Sequence, residues 1–124
     1  MKVPTVFLAI PVALGAPALA QTAPDAARGH VLFLQCAACH SAAKDVPNKV
    51  GPNLYGIVGA HAGSRAGYSY SPVFQKADFT WDEAHLDRFL SKPTEVMPGT
   101  KMLFGGIADP AKRADIIAYL KTLK

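Results

Sequence analysis

The chain has 124 residues, room for one domain, and a formal charge of +4 from 13 basic and 9 acidic residues. Its pI is about 9.2, yet it has no basic run and no interleaving of basic with aromatic side chains, which speaks against nucleic-acid binding. Half of the residues are apolar, but a domain of about 100 residues buries only about two-thirds of its unfolded surface and gains from an internal cofactor or staple.

The first twenty residues read as a secretory leader. Lys2 supplies a positive start, residues 3–14 an apolar stretch, and Ala18-Leu19-Ala20 the small-x-small pattern that precedes cleavage. Cleavage would make Gln21 the first residue of a folded domain over residues 21–124 and leave a charge of about +3, since the leader holds one basic residue and no acid. A retained membrane anchor competes, because the run approaches the roughly 18 apolar residues that span a bilayer. Pro4, Pro11 and Pro17 interrupt it and favour removal. The leader thus implies a periplasmic protein with no stable membrane insertion after cleavage.

Helical signals outnumber strand signals along the rest of the chain, which predicts an all-α domain with long loops. A first helix is expected over residues 25–35, with Ala27, Val31 and Leu34 on one face and Gly29 and Phe33 on another. Residues 40–70 are rich in Gly, Pro, Asn and Ser and read as irregular, with one short helical turn over residues 54–58. Such a stretch needs something to wrap around. Ser71-Pro72 opens a short helix that runs through Lys76. Thr80-Trp81-Asp82-Glu83 reads as a capping box with Thr80 as the cap, and Leu86, Phe89 and Leu90 form the apolar face of the helix it starts. Lys92-Pro93 ends that helix. A second loop runs to Ala108, and Asp109-Pro110 caps a last helix that buries Ile116, Ile117, Leu120 and Leu123.

The only two cysteines lie in Cys36-Ala37-Ala38-Cys39-His40, the C-x-x-C-H pattern of c-type haem attachment. Two residues between the thiols let both sulfurs reach the two vinyl groups of one porphyrin, and His40 then falls beneath the iron. A disulfide across so short a loop would constrain the unfolded chain weakly. A thioredoxin-type pair needs a βαβ context that is missing. Zinc needs four ligands, and His30, His61 and His85 are scattered, while adjacent Cys39 and His40 do not easily converge on one tetrahedral ion. One covalent haem c is the reading that uses all three motif residues.

From residue 25 to residue 123 the chain resembles the class I c-type cytochromes, the small soluble group that includes mitochondrial cytochrome c and its bacterial relatives. Gly51-Pro52-Asn53-Leu54 is similar to the family loop whose proline carbonyl accepts a hydrogen bond from the haem-ligating histidine. Pro98-Gly99-Thr100-Lys101-Met102-Leu103-Phe104 is similar to the methionine-ligand loop. The resemblance implies a class I cytochrome c fold with crossing N- and C-terminal helices, and His40 and Met102 as iron ligands. It implies that Tyr70 and Trp81 hydrogen-bond a haem propionate, and it places Pro52, Asn53, Thr100 and Phe104 with Cys36 and Cys39 around the cofactor. Gly29 and Phe33 match first-helix positions that pack on the last helix, here against Ile116 and Tyr119.

Three departures stand out. Ala60 replaces an arginine near a propionate, leaving His61 or Arg65 to substitute. Phe89 replaces a tyrosine that contacts the methionine sulfur. The family's lysine ring is thin, with Glu95 inside the ligand loop and Lys92 and Lys101 near the haem edge. His/Met ligation raises the reduction potential and closes the sixth position, so the expected activity is one-electron transfer without catalysis. The expected protein is a monomeric carrier between membrane or periplasmic redox complexes of a respiratory or photosynthetic chain. The alternative is an electron-entry subunit or a small peroxidase-like haem enzyme that opens the Met102 position.

Overall fold

The computed structural model describes residues 1–16 and 22–124. The expected cleavage motif and Gln21 lie outside the described residues. The apolar stretch over residues 3–14 is exposed and forms no helix, and no described helix is long and apolar enough to cross a membrane. Six helical segments follow: α1 (Ala26–Leu32), α2 (Leu34–Ala37), α3 (Pro72–Gln75), α4 (Glu83–Ser91), α5 (Pro93–Val96) and α6 (Pro110–Lys121). No strand forms among the described residues beyond an isolated bridge between His61 and Thr80.

Helix α1 starts where the Asp25 carboxylate accepts from the Arg28 N–H at 2.7 Å, filling one of the four donor positions a helix start leaves open. It crosses α6 at Gly29, where a Cβ would lie 1.9 Å from the Asp115 carbonyl oxygen and 2.9 Å from the Tyr119 Cβ. Only a residue without a side chain allows that approach. Phe33, one turn on, is 4% exposed, with its ring 5.1 Å from that of Tyr119. The crossing is also tied by polar groups: Asp115 accepts from the Asp25 N–H at 2.8 Å and from Arg28 Nε at 2.9 Å.

Gly29 and Phe33 therefore form the buried face of α1. Val31 and Leu34 are 67% and 66% exposed and Ala27 is exposed as well, so of the two faces read from the sequence the one with Gly29 and Phe33 turns inward, as the family resemblance implies. The glycine crossing decides the rotation of the helix, and it outweighs the extra apolar area on the other side. The Gly29 contact falls on Asp115 and Tyr119, one residue short of the expected Ile116.

Helix α4 packs on α6 through Leu86, Phe89 and Leu90, and Arg113 Nε donates to Asp87 at 2.7 Å across the pair. Its cap is Asp82, whose carboxylate accepts from the His85 N–H at 2.8 Å. Thr80 is instead held in the bridge to His61, which leaves the capping role to the acid two residues later. After Lys92 the chain turns at once into α5, with Pro93 buried at its first position. Asp109 caps α6 as expected, accepting from the Ala111 N–H at 2.9 Å, while of the four expected core residues Leu123 is only partly buried. Ile116, Ile117 and Leu120 are 1–6% exposed, and each contributes roughly 1.5–3 kcal/mol by leaving water.

Residues 54–60 make two successive turns and no helix, with Ile57 N–H donating to Leu54 O and Ala60 N–H to Ile57 O. Gly56 and Gly59 take φ values of +71° and +91°, which break any helical run there. The long loop is fastened at both flanks, by Gly56 N–H to Leu123 O and by Gly59 and Ala60 to Trp81.

Candidate functional site

The helical frame and the two loops enclose a cavity of about 490 Å³. Cys36, Cys39 and His40 line it from the end of α2, and Pro52, Tyr70, Trp81, Thr100, Met102 and Phe104 from later in the chain. Phe33, Leu86, Phe89, Ile116 and Leu120 carry the helical core into its wall. Asn53 stands apart from the cavity. It is 6% exposed and spends its amide on the loop, donating to Ala43 O at 2.8 Å and Val46 O at 2.7 Å and accepting from Tyr55 N–H at 2.8 Å.

His40 is held in one tautomer. Its Nδ1 lies 2.7 Å from the Pro52 carbonyl oxygen, which can only accept, so Nδ1 carries the proton and Nε2 keeps a free lone pair. Burial pushes the imidazole pKa below its ordinary value, opposed by the Pro52 bond, so the neutral ligand form prevails. Gly51 fits flat against the ring: a Cβ there would lie 2.4 Å from His40 Cε1. The loop is docked by Gly51 N–H to Cys39 O at 2.8 Å and Leu54 N–H to Ser41 O at 2.8 Å. The role of Gly51 escaped sequence reasoning, although its place beside Pro52 was a usable signal.

Cys36 and Cys39 form no disulfide, and burial raises the pKa of the Cys36 thiol. No cluster of three or more His, Cys, Asp or Glu side chains able to hold a metal occurs among the described residues. Met102 lines the cavity, and its N–H donates to Thr100 Oγ1 at 3.2 Å, a clip that shapes the loop. Met97 packs on the core and does not line the cavity. Ser71 was read only as a helix cap, yet its side chain caps nothing: its hydroxyl is buried on the cavity wall with no partner. Tyr70 accepts from the Arg65 N–H at 3.0 Å, and burial raises its pKa.

Val50 and Leu103, 75% and 100% exposed, belong to the rim, with Gln35 and Cys39. The two lysines expected there are both engaged. Lys101 donates to Ser69 O and stands 4.5 Å from the Tyr68 ring centre, and Lys92 lies 3.6 Å from the Glu95 carboxylate.

An apolar cavity that presents two thiols and a tautomer-locked imidazole in C-x-x-C-H order, with an unsatisfied hydroxyl on its wall, fits a covalently attached haem and defines a c-type haem protein. The chain belongs to the cytochrome c family: the family model for cytochrome c matches residues 26–124. It is similar to cytochrome c2 of Rhodomicrobium vannielii, 45% identical over 105 residues that cover 85% of this chain and 84% of that protein. It is 47% identical over 95 residues to cytochrome c2 of Rhodopila globiformis, covering 77% of this chain and 89% of the relative. The solved structure of cytochrome cH from Methylobacterium extorquens superposes with a TM-score of 0.74 at 52% identity, covering 79% of this chain and 98% of that one. The fold is that of a class I cytochrome c, the cofactor is one covalent haem c, and the function is electron transfer without catalysis.

Proposed function

We propose that Cys36 and Cys39 carry the haem through two thioethers, that His40 and Met102 ligate its iron, and that the protein moves single electrons between membrane or periplasmic complexes of a respiratory or photosynthetic chain. The observation that carries this reading is the His40 to Pro52 contact on the wall of a cavity that also holds both thiols and Met102. Bound haem supplies a one-electron couple. The Pro52 carbonyl orients the His40 ring and raises its donor strength. The Met102 thioether would be a soft ligand that favours the ferrous state and keeps oxygen and peroxide from the iron. Thr100 shapes the Met102 turn through its hydroxyl, and Phe104 lines the same cavity.

The leader over residues 1–20 would be removed on export, and the carrier would work in the periplasm as a monomer. The cytochrome c2 relatives support that setting. Contact with redox partners would use the cavity rim, where the small, short-lived encounters of electron transfer need well under ~1,200 Å². The test is expression in a host with haem-attachment machinery. A c-type pyridine haemochrome, colour that resists acid-acetone extraction, and an intact mass starting at Gln21 with one haem are expected. Extractable colour would overturn the thioether assignment, and a mass retaining residues 1–20 would overturn cleavage.

A further inference from the structure

The charges of this chain avoid the segments that build the cavity mouth. Of the 13 Lys and Arg and the 9 Asp and Glu side chains, none falls within residues 29–40, 50–60 or 102–108. Those three segments bring the C-x-x-C-H motif, Pro52 and Met102 to the cavity. The lysines that adjoin them are engaged. Lys49 Nζ donates to the Ala37 carbonyl at 2.7 Å, Lys101 is held by Ser69 O and the Tyr68 ring, and Lys92 by the Glu95 carboxylate.

On their outer side the same segments expose apolar groups. Val31, Leu34 and Ala38 are all exposed, and they fall at helical spacing along α1 and α2, whose junction at Phe33 keeps helical backbone angles. That stripe ends beside Cys39 on the rim, whose carbonyl accepts from Gly51 N–H, which places exposed Val50 next to it, and fully exposed Leu103 stands on the same rim. Single exposed apolar residues are ordinary on a protein surface, whereas a cluster around the mouth of a functional cavity marks an interaction site. We propose that Leu34, Val50 and Leu103 form the docking face for a redox protein whose own contact patch is apolar and uncharged. This rests on the electron-transfer reading above and states the chemistry of the partner. Carboxylates of an acidic partner would lose water against these side chains and find no free cation in exchange. An apolar patch would lose nothing and would cover all three.

The experiment is voltammetry of the holoprotein on gold coated with alkanethiols. A methyl-ended layer stands in for the apolar partner and a carboxylate-ended layer for an acidic one; on either, the electrode takes one electron from the reduced protein and returns it. Wild type is expected to give a reversible adsorbed couple on the methyl layer, at its solution potential. Its coverage should hold from about 0.01 M to about 1 M salt, while the screening length shrinks from about 30 Å to about 3 Å. Leu103→Ser, at a fully exposed position, is expected to lower coverage on the methyl layer by about tenfold or more at limiting protein concentration, the scale for one leucine side chain leaving an apolar contact. Leu103→Lys should lose as much there and gain coverage on the carboxylate layer at low salt.

A wild-type couple confined to the carboxylate layer and lost with salt would hand the face to an acidic partner and overturn the proposal. So would Leu103→Ser covering the methyl layer as wild type does, or sedimentation of wild type as a dimer that Leu103→Ser dissociates, which would give the face to a second copy. The haemochrome spectrum and solution potential of each protein report on haem attachment and Met102 ligation whatever the layer. Failure of that reading shows there, and failure of this one shows in the coverage.

Discussion

Gly29→Ala tests whether the α1–α6 crossing holds the fold together. The new Cβ would lie 1.9 Å from the Asp115 carbonyl oxygen and 2.5 Å from its carbon, against the 3.4 Å at which ordinary contact begins. The helices must separate by about 1.5 Å at that point, and the obstacle is backbone, which has no rotamer to change. Overpacking typically costs about 1–3 kcal/mol, and a backbone obstacle belongs at the upper end. Alanine returns roughly 1 kcal/mol through its better helix propensity. The net expectation is a loss of about 2 kcal/mol, or a fall in Tm of roughly 8–16 °C for a domain of this size. Urea unfolding of the holoprotein by circular dichroism, with the slope unchanged, measures it. Equal or greater stability for Gly29→Ala would refute the idea that close approach of the two backbones is what the glycine provides.

Met102→Leu should abolish the weak long-wavelength charge-transfer band of ferric His/Met haem, lower the potential and open the iron to cyanide. Met97→Leu should keep the band and cost under about 1.5 kcal/mol, since it is a swap of similar volume; the reverse pattern in the two spectra would exchange their roles. The Arg28 hydrogen bond, and after it the Asp25 N–H, hold the Asp115 carboxyl below its ordinary pKa. That stability is full above the unfolded value of about 4 and is lost as pH falls through the depressed folded value. Arg28→Gln should therefore move the acid-unfolding midpoint to higher pH, and an unmoved midpoint in a pH titration would remove Asp115 from the account. With Lys92 paired and Lys101 tied to Ser69 and Tyr68, electron transfer to a physiological partner should slow only modestly between low salt and ~0.1 M, where screening reaches about 10 Å. A steep fall in stopped-flow rates would show that these lysines steer docking.

Most of the site was legible because covalent chemistry imposes spacing. Two thiols and a following imidazole must sit within one turn, so Cys36, Cys39 and His40 announce themselves. The last helix was equally plain, since the Asp109-Pro110 cap and the Ile116, Ile117 and Leu120 spacing agree. The first helix was harder to read. Apolar periodicity put Ala27, Val31 and Leu34 on one face and Gly29 and Phe33 on another without saying which is buried; a backbone approach at Gly29 leaves no hydrophobic signature, so only the family resemblance pointed to the face that packs on α6. The capping-box pattern pointed to Thr80, but a distant bridge with His61 holds that residue and Asp82 caps the helix instead. Asn53 sits in a motif next to Pro52, yet its amide serves three backbone groups of its own loop, a commitment that only the folded path of residues 43–55 reveals.

The bond between Asp25 and Asp115 joins groups 90 residues apart, and it has a consequence for the order of events during synthesis. A nascent chain that has reached Asp109 already carries both thiols and His40, but α6 does not yet exist, so Gly29 and Phe33 have nothing to close against. Contacts this distant in sequence form late, after the cost of closing the long loop has been met. The C-x-x-C-H segment is therefore accessible for the whole interval before the last helix arrives. A pocket that binds its cofactor by shape alone would have to be complete first. Attachment through two side chains three positions apart needs only a short stretch of open chain, so the cofactor can be secured before there is a cavity to hold it.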